Sequence, residues 1–112
     1  MLAGDQVRLA PLYDIASALP YDVHERKLKL AMKLSSSYGV YSRRNPWPGT
    51  ARDLGLDAEA LTDRARELAA AAPDAFAAAA ATPDVVALER ALPQRLVELV
   101  AERAARCAAL LD

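Results

Sequence analysis

The sequence predicts an α+β fold: a short antiparallel strand region at the N-terminus, residues 1–44, followed by a mainly α-helical part, residues 45–112. Three observations carry this. The segment Lys27–Leu34 alternates polar and apolar side chains with period 2, the pattern of a half-buried strand. Beyond residue 44 the chain repeatedly offers helix start and stop residues: Asn45-Pro46, Gly55, Asp57 and Thr82-Pro83-Asp84. At 112 residues and 12.0 kDa it holds one domain with a core and is too short for two.

Taken in order, Gly4-Asp5 forms a hairpin turn between Met1-Leu2-Ala3 and Gln6-Val7-Arg8-Leu9, with Val7 and Leu9 on one face and Arg8 on the other. Pro11 to Ser17 follows, where Asp14 is placed to cap a short helical turn. In the next strand Leu28, Leu30, Met32 and Leu34 share one face, and Lys27, Lys29, Ala31 and Lys33 the other. Ser35-Ser36-Ser37-Tyr38-Gly39 reads as a loop or turn.

In the second half, Asn45 is an N-cap with Pro46 at the first helical position and Gly55 as terminator. Asp57 caps a second helix, with Glu59 near its positive end. Leu61, Ala65, Leu68 and Ala72 fall at helical spacing. Pro73 is expected to break or kink that helix, with a restart over Asp74 to Ala81. Thr82-Pro83-Asp84 marks a third start. Val85, Leu88, Leu92, Leu96 and Leu99 then form the apolar stripe of the last helix, with a kink expected at Pro93.

Composition narrows the function classes. Fourteen Lys and Arg against fifteen Asp and Glu leave a net charge of -1, so no overall field draws the chain to nucleic acid or an anionic membrane. Alanine occurs 26 times and inflates the apolar fraction while burying little area per residue. No stretch approaches the roughly 20 apolar residues of a bilayer span. The start Met-Leu-Ala-Gly-Asp-Gln lacks the charged residues and apolar run of a signal peptide, so the expected location is the cytoplasm. One cysteine, Cys107, excludes an internal disulfide, and with one histidine it excludes an ordinary Cys/His zinc site.

The residues alone give a thin catalytic inventory. His24, in a polar stretch with Asp22 and Glu25, has no nucleophile near it in sequence and reads first as a solvated loop residue, second as a general base. No glycine-rich phosphate loop occurs. Arg26, Lys27, Lys29 and Lys33, with Arg43 and Arg44, form the one local charge excess. They are either a solvated strand face or a contact for phosphate or an acidic partner. Trp47 and Tyr38 read as core or rim anchors.

The segment Leu9-Ala10-Pro11-Leu12-Tyr13-Asp14-Ile15-Ala16-Ser17-Ala18-Leu19-Pro20-Tyr21 resembles the HipA family of bacterial protein serine/threonine kinases, toxins of toxin–antitoxin modules. The likeness continues through Lys29-Leu30-Ala31-Met32-Lys33, Trp47 and Ala51-Arg52-Asp53-Leu54-Gly55-Leu56. It implies the C-terminal portion of such a kinase, ending in the helical C-lobe of a protein-kinase-like fold. Asp14 would then resemble the aspartate of the D-F-G motif and bind the magnesium that bridges the ATP phosphates, a hard cation suited to carboxylate oxygen. Within the basic cluster, Lys27, Lys29 and Lys33 are the candidate substrate or phosphate contacts. A helix-turn-helix antitoxin and a protein substrate, in some relatives an aminoacyl-tRNA synthetase, are the implied partners. Neither a membrane nor direct nucleic-acid binding is expected.

The family's catalytic aspartate would lie before residue 1, together with the nucleotide-binding lobe. One carboxylate cannot supply the positioning and charge stabilisation on which phosphoryl transfer depends. The 112 residues alone are therefore expected to be inactive and to bind Mg²⁺ and ATP only weakly. The alternative is a non-catalytic helical interaction module that binds an antitoxin or a complementary kinase chain. Two departures stand out: Ser35-Ser36-Ser37 replaces a Gly-Gly pair, which leaves a tight turn there open, and Pro46 stands where a histidine commonly precedes the tryptophan.

Overall fold

The computed structural model describes residues 2–3, 6–7, 29–35, 37–39 and 44–111, and in the contiguous stretch 44–111 every regular element is a helix. These are α1 (Trp47–Leu54), α2 (Ala58–Ala80), α3 (Pro83–Val86) and α4 (Leu92–Ala109). The α+β class is thereby corrected to a helical body. Before it, among the described residues, β1 (Leu2–Ala3) pairs with β2 (Gln6–Val7), and β3 (Lys29–Leu34) with β4 (Ser37–Gly39). Each described ribbon has two strands, too few to make a layer by itself. The helices instead pack chiefly on one another, α2 against α4 and α1 against α2.

Local chemistry explains where α1 starts and stops. The Trp47 backbone N–H donates to Asn45 Oδ1 at 3.0 Å, so Asn45 supplies the capping oxygen. Pro46 already has helical dihedrals, φ -84° and ψ -12°. At the other end Gly55 adopts φ 67°, the left-handed region open to glycine. The Leu56 N–H then donates to the Ala51 carbonyl at 2.8 Å and the Gly55 N–H to that of Arg52 at 3.3 Å, closing a Schellman turn.

Asp57 caps α2, its Oδ1 accepting from the Ala60 N–H at 2.7 Å. The helix then runs for 23 residues through Pro73 without interruption, correcting the expected break and restart. The proline removes one N–H and crowds the Ala69 carbonyl. Alanines on both sides, the best helix formers, carry the helix across the gap.

Pro93 also departs from expectation. It stands in the first turn of α4, where its missing N–H has no helical partner to lose, so it opens the helix and kinks nothing. The stripe drawn from Val85 to Leu99 therefore splits. Val85 belongs to the single turn of α3, Leu88 to the connection, and Glu89 reverses the chain at φ 49°.

The connection from Ala80 to Leu92 is short, and Arg66 near the start of α2 touches Leu111 just past the end of α4, so the two helices run antiparallel. Between them the buried apolar residues are Val100, Ala104 and Leu111, with Ala51 of α1 fully enclosed. Leu61, Ala65, Ala69 and Ala72 line the half-buried side of α2, whereas Leu68, expected on that stripe, stays 54% exposed. Thr50 is buried with its hydroxyl satisfied, Oγ1 donating to the Pro46 carbonyl at 2.9 Å.

Candidate functional site

Asp14, His24 and Lys27 lie outside the described residues. Lys29 and Lys33 stand at the first and fifth positions of β3, by backbone alone. The β3–β4 ladder changes register between Lys29, opposite Gly39, and Leu34, opposite Ser37. Alternation restarts across such an irregularity, so counting residues does not by itself put the two lysines on one face. The pairing of Leu34 with Ser37 leaves two residues to turn the chain, and Ser35 does so at φ 55°. The turn left open by the serine run is thus a tight one.

Ser35 has a second role: it meets α1. A Cβ built on Gly49 would stand 2.8 Å from the Ser35 Cβ and closer still to its Oγ. Gly49 is the residue that lets the first turn of α1 lie against the serine turn. Trp47, beside it, is half-buried, and Arg44 just ahead of the helix is exposed.

The charges of the described helices are arranged locally. Arg64 pairs with Glu67 at 2.8 Å, Arg66 with Asp63 at 2.6 Å, and Arg106 with Glu102 one turn before it. All are exposed pairs at i,i+3 or i,i+4, each contributing about 0.3–0.5 kcal/mol. Among the described residues no three His, Cys, Asp or Glu side chains cluster as metal ligands, and no helix is long and apolar enough to cross a membrane. Cys107, half-buried on α4, is a free thiol.

What the described body does present is apolar surface. Phe76, Val86, Leu88 and Leu92, which follow one another along the chain from the last turns of α2 through α3 to the start of α4, are each exposed, Val86 at 60% and Leu88 at 58%. Leu54 and Leu56 flank Gly55 and are likewise exposed. Single exposed apolar side chains are ordinary, but this many on a body so thin in buried residues are a feature of the fold. Leu88 and Leu92 are both expected on the apolar stripe of the last helix. The signal that corrects it is Pro93, whose place in a first turn puts Leu88 outside the helix.

Set against protein families, curated proteins and solved structures, the chain finds no match in any of the three.

Proposed function

We propose that this chain serves a HipA-like protein serine/threonine kinase as a helical packing module that carries Asp14 of its metal site, and that it is not a self-sufficient enzyme. The observation that carries the packing role is the exposed apolar group Phe76, Val86, Leu88 and Leu92 on a body whose buried apolar residues are Ala51, Val100, Ala104 and Leu111. Several large apolar side chains exposed on a body with so few buried ones suit a part whose remaining core comes from other polypeptide. The kinase part of the reading rests on the resemblance of Leu12-Tyr13-Asp14 and Lys29-Leu30-Ala31-Met32.

In the completed kinase a phosphoryl group would pass from ATP to a serine or threonine hydroxyl of a protein, in the cytoplasm. When bound, magnesium would neutralise charge on the phosphates. Asp14 would hold that ion, and Lys27, Lys29 and Lys33 would meet phosphate or substrate.

The test reads peptides of residues 57–112 in native cells by intact mass, then assays phosphoryl transfer from ATP. A heavier species, or a 12.0 kDa chain held in a complex, that phosphorylates protein and loses this with Asp14→Asn supports the proposal. A free 12.0 kDa monomer, or transfer indifferent to Asp14→Asn, overturns it. The same exposed side chains support a second reading, a non-catalytic module that binds a helix-turn-helix antitoxin or a complementary kinase chain. A stable complex without any phosphoryl transfer would select it.

A further inference from the structure

No further inference is drawn: the strongest candidate, the exposed apolar surface where α3 joins the ends of α2 and α4 (Phe76, Val86, Leu88 and Leu92), belongs to the surface already described, and nothing in the structure shows what covers it.

Discussion

The guanidinium of Arg66 donates from Nη2 to the backbone carbonyl of Leu111 at 2.9 Å, across 45 residues, while its Nη1 donates to Asp63 at 2.6 Å. The acceptor lies just past the end of α4, where helix carbonyls have no intrahelical partner and the macrodipole is negative. One planar, multi-donor side chain therefore ties the segment just past α4 to α2.

Arg66→Ala is expected to lower stability by about 1 kcal/mol, a central value for a hydrogen bond discounted for solvent exposure. Arg66→Lys, which keeps the charge but cannot span both acceptors in a fixed fork, should fall between. Urea unfolding of the three proteins decides it. Identical midpoints for wild type and Arg66→Ala would remove the clamp from the account.

Gly49 and Ser35 set up a reversal of the usual preference. Alanine is the better helix former by about 1 kcal/mol. Even so, Gly49→Ala should destabilise, because the new methyl meets the Ser35 side chain. Adding Ser35→Gly removes the obstructing atoms and suits φ 55°, so the double variant should recover the loss. A thermal midpoint that rises in Gly49→Ala alone would contradict the close approach.

At Gly55 the constraint is conformational only, since nothing lies within 4 Å of a Cβ built there. The left-handed backbone alone should make Gly55→Ala cost about 1–2 kcal/mol. Gly55→Asn should cost less, asparagine being the next most common residue at such helix ends. Circular dichroism melts that rank alanine above asparagine would refute this.

Pro73→Ala gives α2 back the N–H that can donate to the Ala69 carbonyl. The full interior difference is about 3 kcal/mol, reduced by the freedom the unfolded chain regains. The expected result is a higher melting temperature together with slow hydrogen exchange of the amide that the substitution introduces. An unchanged midpoint would count against a continuous α2.

The caps were legible because each acts within a few residues: Asn45 on Trp47, Asp57 on Ala60, and Gly55 through its own φ. Pro73 leaves α2 unbroken where a break and restart are expected, and Pro93 opens α4 where a kink is expected. A proline's effect depends on whether the residues before it are already helical, and periodicity does not report that. Leu68 went astray because the helix turns its half-buried side through Ala69. The Arg66–Leu111 contact had no sequence signal, since its acceptor is a backbone carbonyl far along the chain. The α+β expectation failed because period-2 alternation marks a strand without saying whether enough strands gather to form a layer. Of the candidate site, Asp14 and Lys27 lie outside the described residues, and the exposed leucines carry no motif at all.

Two of the four buried apolar residues of the described body are alanines, and α2 buries none of its 23 residues. Heat capacity and denaturant slope both scale with the surface that unfolding uncovers. Melting of this body should therefore be broad, with a shallow dependence on urea and a small heat-capacity step. Its folded population becomes a linked variable: any polypeptide that binds only the folded helices adds its binding free energy to their stability and sharpens the transition.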